Sequence, residues 1–151
     1  MKRNGSLFWF TQQFAIVEDI ILESMPDNIE EQQLPLDVLL VEDNQINVMV
    51  ASKFLNKWGA SVTVAANGIE AIEAISTRNF HVVLMDLQMP VMDGFEAAEE
   101  IRKKNNLTPI IALTASALPE EQKKIRNSGM NDYIIKPFDP GELLKKLRHY
   151  T

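Results

Sequence analysis

The chain has 151 residues, 46% of them apolar, no cysteine, and a formal net charge of −6. That composition suits one packed domain plus an appendage and excludes disulfides and thiolate metal sites; the acidic balance argues against a nucleic-acid partner, whose phosphates need clustered Lys and Arg. No run approaches the roughly 18 uninterrupted apolar residues of a membrane span, and MKRNGSLFWF lacks the core and cleavage site of a signal peptide, so a cytoplasmic setting without direct membrane contact is expected.

The acidic excess lies at the front. Residues 1–35 hold two bases and six acids, a net −4, whereas residues 36–151 hold 13 bases and 15 acids. SMPDNIEEQQLP (24–35) reads as a linker, with two prolines and few large apolar side chains, which places a domain boundary near Pro35. A regular alternation follows. VLLVED (38–43) predicts a strand, and INVMVASKFLNKW (46–58) a helix with Asn44 as its N-cap. SVTVAA (61–66) and IEAIEAI (69–75) form the next strand and helix, then HVVLMD (81–86) and FEAAEEIRKK (95–104). PIIALTA (109–115) leads into LPEEQKKIRNSG (118–129), which has Pro119 near its start and Gly129 at its end. DYIIK (132–136) and PGELLKKLRHY (140–150) complete the series. Strands that are apolar throughout are buried on both faces, so five βα units here predict a doubly wound α/β domain: a five-stranded parallel sheet with helices on both faces.

In such a sheet, ligands bind beyond the carboxyl ends of the strands. Glu42 and Asp43 end the first strand, Asp86 the third, Thr114 the fourth and Lys136 the fifth, so all five side chains are expected on one edge. Three carboxylates together repel unless a cation sits among them. Hard oxygen ligands point to Mg²⁺, with Lys136 and Thr114 supplying a positive charge and a hydroxyl on the other side. Around Asp86 these groups suit stabilisation of an added phosphoryl group, which makes Asp86 a candidate nucleophile. The plainer alternative is that the acids merely cap strand ends.

Residues 36–151 resemble the receiver domain of two-component response regulators over its full length. The matching stretches are VLLVEDNQIN (38–47), VLMDLQMPVMDG (83–94), IIALTA (110–115) and GMNDYIIKPF (129–138). The resemblance implies a flavodoxin-like strand order, 2-1-3-4-5, and transfer of a phosphoryl group from phosphohistidine to Asp86. It implies that Asp43, Asp86 and the backbone carbonyl of Gln88 ligate Mg²⁺, with Glu42 acting through water, and that Lys136 pairs with the phosphoryl oxygens. Thr114 would hydrogen-bond to them and drive a switch in which Tyr133 rotates inward. Ala115 would leave room for a partner's imidazole, and Gln88 and Ser116 would influence how long the phosphate survives. The Lys136–Pro137 bond is expected to be cis. The implied partners are a histidine kinase dimerisation domain or a histidine phosphotransfer domain. No glycine-rich phosphate loop is present, as befits an acceptor that needs no nucleotide. A haloacid-dehalogenase-like phosphatase would need a second Asp two residues after the nucleophile, where Gln88 stands; a docking module without phosphate would have no use for Asp86, Asp43 and Lys136.

GSLFWFT (5–11) is similar to the last motif of a sensor histidine kinase ATPase domain. This implies that residues 1–14 are the end of such a domain, residues 15–35 an acidic linker, and the chain part of a hybrid histidine kinase, whose parent protein can be membrane-anchored. Without the nucleotide-binding boxes the chain itself is not expected to bind ATP. The apolar stretch 7–22 is expected to find cover on its own receiver or on a second copy, giving a homodimer. His81 and His149 are read as surface residues, Met85, Met89 and Met92 as packing, Asp93 as a turn cap with Gly94, and Arg102, Lys103 and Lys104 as a solvated helix end.

Overall fold

The computed structural model describes residues 33–151. The expectations for residues 1–14, for most of the 15–35 linker and for the docking of residues 7–22 lie outside the described residues. Five parallel strands, β1 (Asp37–Val41), β2 (Ser61–Ala65), β3 (Val82–Asp86), β4 (Ile110–Thr114) and β5 (Asp132–Ile135), form one sheet in the order β2-β1-β3-β4-β5. They alternate with α1 (Gln45–Lys57), α2 (Gly68–Thr77), α3 (Gly94–Lys103), α4 (Pro119–Asn127) and α5 (Pro140–Tyr150). Each boundary lies within two residues of the sequence expectation, and the strand order is the expected one.

The two-residue period of each strand divides the core into layers. Leu39, Val41, Val83, Met85, Ile110 and Ala112 pack with Ala71 and Ile75 of α2, Ala97, Ala98 and Ile101 of α3, and Ile125 of α4. Their neighbours Val38, Leu40, Val82, Leu84, Ile111, Leu113 and Ile134 face the opposite way. They are buried like Phe54 and Leu55 of α1 and Leu143, Leu144 and Leu147 of α5. β1, β3 and β4 are thus covered on both faces, which is why their sequences are continuously apolar.

Four βα turns are closed by side-chain caps at the carboxyl edge, one of them by Asp139, whose Oδ2 accepts from the Glu142 amide at 2.9 Å. Asn44 Oδ1 accepts from the Ile46 and Asn47 amides at 2.9 and 3.3 Å. Asn67 caps α2 through the Glu70 amide at 3.0 Å, and Asp93 caps α3 through the Glu96 amide at 2.9 Å. Each satisfies a donor that the first helical turn leaves unpaired. Asp93 therefore starts a helix rather than closing an isolated turn. Gly94 is required by space: a Cβ there would lie 2.3 Å from the Asp86 carbonyl oxygen. The chain can pack α3 directly beneath the end of β3 only because that position has no side chain.

Arg102 corrects one expectation. It is half-buried, not a solvated helix end: Nε donates to the Gly129 carbonyl at 2.9 Å, and Nη1 to the Asn106 and Thr108 carbonyls at 2.8 and 2.9 Å. Nη2 reaches Asn131 Oδ1 at 2.9 Å, which also accepts from the Ile110 amide. One guanidinium thus ties the end of α3 to the turns that begin β4 and β5. Lys103 and Lys104 are exposed, as expected. No described helix is long and apolar enough to cross a membrane.

Candidate phosphoryl and metal site

The ends of β1, β3, β4 and β5 open into a cleft of about 400 Å³, lined by Glu42, Asp43, Asp86, Gln88, Thr114, Ala115, Ser116 and Lys136. Parallel strands in register put all these groups on one rim. Glu42 and Asp86 are 2% and 5% exposed, so their carboxylates have lost most of their water; Asp43 is exposed. One oxygen from each of the three acids lies within 4.8 Å of the others. Close carboxylates with no soft ligand beside them suit a small, hard divalent cation, and Mg²⁺ fits this donor set.

Lys136 departs in placement from the sequence reading. Its ammonium does not face the acids from across the cleft but sits among them, with Nζ 2.9 Å from Glu42 Oε2 and 2.9 Å from Asp86 Oδ1. Burial works against its charge, but the bonds to Asp86 and Glu42 outweigh that and raise its pKa above the ordinary lysine value. Glu42 is shifted the other way from a typical paired acid. Burial pushes its carboxyl up and the Asp86 charge adds to this, so the bonds from Lys136 and from the Asn44 amide (3.1 Å) only partly offset the effect. The Lys136–Pro137 peptide is cis.

Thr114 is 4% exposed. Its hydroxyl donates to the Ser116 carbonyl at 3.0 Å and accepts from the Ser116 amide at 3.2 Å. Tyr133 does not line the cleft: it is half-buried on the outermost strand, packed at the rim of the core with the Lys146 ammonium 5.3 Å from its ring centroid. Sequence reasoning missed Asn47, Leu118 and Glu121, which also line the cleft. Asn47 and Glu121 follow from the rule that located the acids, because residues in the first turn of a helix after a strand share that strand's carboxyl edge, and Leu118 lies in the loop just before α4. His81 is exposed, and its Nδ1 accepts from the Asp37 amide at 2.9 Å, far from this chemistry.

A family model described as response regulator receiver domain matches residues 38–148. The chain belongs to the response regulator receiver family. Among curated relatives of this receiver, the aerobic respiration control sensor protein ArcB of Escherichia coli (strain K12) is 36% identical over 152 residues, covering 97% of this chain and 19% of ArcB. The receiver domain of sensor histidine kinase PA1611 from Pseudomonas aeruginosa PAO1, solved with a magnesium ion coordinated in its active site cleft, is 40% identical with a TM-score of 0.73. That match covers 78% of this chain and 98% of the PA1611 domain. The co-crystal structure of the Saccharomyces cerevisiae histidine phosphotransfer signaling protein Ypd1 with the receiver domain of Ssk1 matches at 38% identity and a TM-score of 0.73, covering 77% and 88% of the two chains. The receiver chain spans between 12% and 19% of the length of the first curated relatives it matches.

Proposed function

We propose that this receiver takes a phosphoryl group from a phosphohistidine onto Asp86, in a site completed by Mg²⁺. The supporting observation is the convergence of Glu42, Asp43 and Asp86 within 4.8 Å, with Lys136 bonded to two of them. An Asp86 carboxylate oxygen attacks phosphorus, the P–N bond breaks, and its electron pair leaves with the donor imidazole. Lys136 is long enough to follow the phosphoryl oxygens, and the Thr114 hydroxyl can turn from Ser116 towards them. In a transition state whose charge is spread over equatorial oxygens, such positioning and electrostatic help do most of the work. Asp43, Asp86 and the Gln88 carbonyl are the proposed metal ligands, with Glu42 acting through water; the cation supplies charge neutralisation at the transferring oxygens. Ala115 leaves room for the imidazole, while Gln88 and Ser116 border the path of a hydrolytic water.

The added charge of about −1.5 to −2 draws Thr114 inward, and Tyr133 turns into the space it leaves. The surface formed by α4 and β5 then changes affinity for partners, a shift between two packings. The proposed donor is a kinase dimerisation domain or a histidine phosphotransfer domain, a reading supported by the Ypd1–Ssk1 receiver likeness. Phosphohistidine is made at the expense of ATP, which suits a cytoplasmic setting. We read residues 1–14 as the end of a kinase ATPase domain and residues 15–35 as its linker. The ArcB match, which covers 97% of the chain, supports that origin in a hybrid kinase.

Intact-mass measurement of the full chain after incubation with phosphoramidate tests the proposal. One phosphate per chain, formed only with Mg²⁺ and lost in Asp86→Asn, is expected; an adduct of equal yield in Asp86→Asn overturns it.

A further inference from the structure

Lys146 makes two contacts that the phosphoryl site does not use. It projects from α5, on one face of the sheet, yet its ammonium reaches the edge strand β5. There Nζ lies 2.7 Å from Asp132 Oδ1 and 5.3 Å from the centre of the Tyr133 ring. We propose that Lys146, held by Asp132, is a positioning residue that keeps Tyr133 in its resting rotamer and so sets how readily the receiver switches. This rests on the Thr114–Tyr133 coupling proposed above.

The geometry gives the cation little freedom to wander. Asp132 and Tyr133 are consecutive, so their side chains leave opposite faces of β5, and Lys146 spans the strand to meet both. The Asp132 carboxylate is itself fixed: it accepts from the Tyr133 amide at 2.8 Å, and its other oxygen lies 3.2 Å from the Tyr150 hydroxyl, one turn beyond Lys146. Lys146 and Asp132 side chains are 21% and 26% exposed, so this pair is shielded more than a rim ion pair. The ammonium meets the negative face of the ring, an attraction lost if the ring swings towards β4. Thr114, whose hydroxyl is bonded at Ser116, is in the partnered arrangement that a rotating Tyr133 would have to displace. A contact of this kind, partly open to water, biases a two-state equilibrium by about two- to fivefold.

The chain has two tyrosines, so the full-length protein carrying 3-fluorotyrosine gives two fluorine signals, and Tyr133→Phe assigns them. Beryllofluoride with Mg²⁺ serves as the phosphoryl mimic, its own bound fluorine signal reporting occupancy. In Lys146→Met the resting Tyr133 signal is expected to move towards its mimic-bound position, and half-saturation to need about two- to fivefold less beryllofluoride, because a ligand of the switched state gains whatever the resting state loses. Asp132→Asn shifts both readings the same way and by less; Lys146→Arg, which keeps a cation over the ring, stays with the wild type. A Lys146→Met protein with wild-type signal position and wild-type half-saturation overturns the proposal alone. A wild-type Tyr133 signal that does not move at full mimic occupancy overturns the Thr114–Tyr133 coupling, and this proposal with it.

Discussion

Removing the Arg102 guanidinium separates a solvated helix end from a structural tie. Its four hydrogen bonds join the end of α3 to the turns before β4 and β5, the strands that carry Thr114 and Lys136. Hydrogen bonds to charged groups are each worth about 1.5–3 kcal/mol net. The simple sum overstates the loss, because Asn106, Thr108, Gly129 and Asn131 are all partly exposed and water can replace the lost donor. Taking roughly one third of that sum, Arg102→Met is expected to cost about 3 kcal/mol, or roughly 10 °C in Tm for a domain of this size. Arg102→Lys should lose about 2 kcal/mol, since an ammonium cannot reproduce the planar fork that serves three carbonyls and an amide. Urea unfolding followed by far-ultraviolet circular dichroism measures both, with the slope checked for a two-state transition. Burial also lowers the Arg102 pKa, though it stays charged throughout this range. A Met variant within about 0.5 kcal/mol of wild type, the ordinary surface value, would mean that the guanidinium does not tie α3 to these turns.

At the site, Lys136→Met should slow labelling by phosphoramidate about 100-fold, by analogy with loss of one charge-stabilising donor. It should also tighten Mg²⁺ binding in calorimetry, because a competing cation leaves Glu42 and Asp86; unchanged affinity would count against the placement of that ammonium. Gly94→Ala puts a methyl group against the Asp86 carbonyl and Leu87 Cα, both backbone, and should cost about 2–3 kcal/mol; a Tm equal to wild type would contradict the packing. Burial tends to raise the Asp132 carboxyl pKa, but Lys146, the Tyr133 amide and Tyr150 together hold it below the usual carboxylate value. Its contribution is therefore complete above the unfolded carboxylate pKa and fades as pH falls through the lower folded one. The stability gap between wild type and Asp132→Asn should narrow from pH 7 to pH 2 in urea titrations, and a gap that widens would reverse the sign.

The fold was legible because burial on both faces writes itself into composition: VVLM and IIAL leave no polar face for solvent. Position at the carboxyl edge then located Glu42, Asp43, Asp86, Thr114 and Lys136 without any contact being known. Where Lys136 points was not legible, since strand order fixes the edge but not the rotamer, and the two nearest carboxylates decide it. Arg102 was illegible for another reason. Three of its partners are backbone carbonyls, which carry no residue signature, and they lie 4, 6 and 27 positions away. Lys146 and Tyr133 meet only because α5 crosses back along the edge strand, a juxtaposition that no local pattern encodes.

In the proposed reaction a phosphoryl group comes to rest on one carboxylate at the end of β3. Borohydride reduces an acyl phosphate of aspartate to homoserine, marking the labelled residue in the covalent chain. Peptide mass spectrometry of the chain, phosphorylated with Mg²⁺ and phosphoramidate and then reduced, should show homoserine at position 86 alone. Homoserine at position 43, or an unreduced aspartate at 86 beside a phosphate elsewhere, would rule out Asp86 as the acceptor.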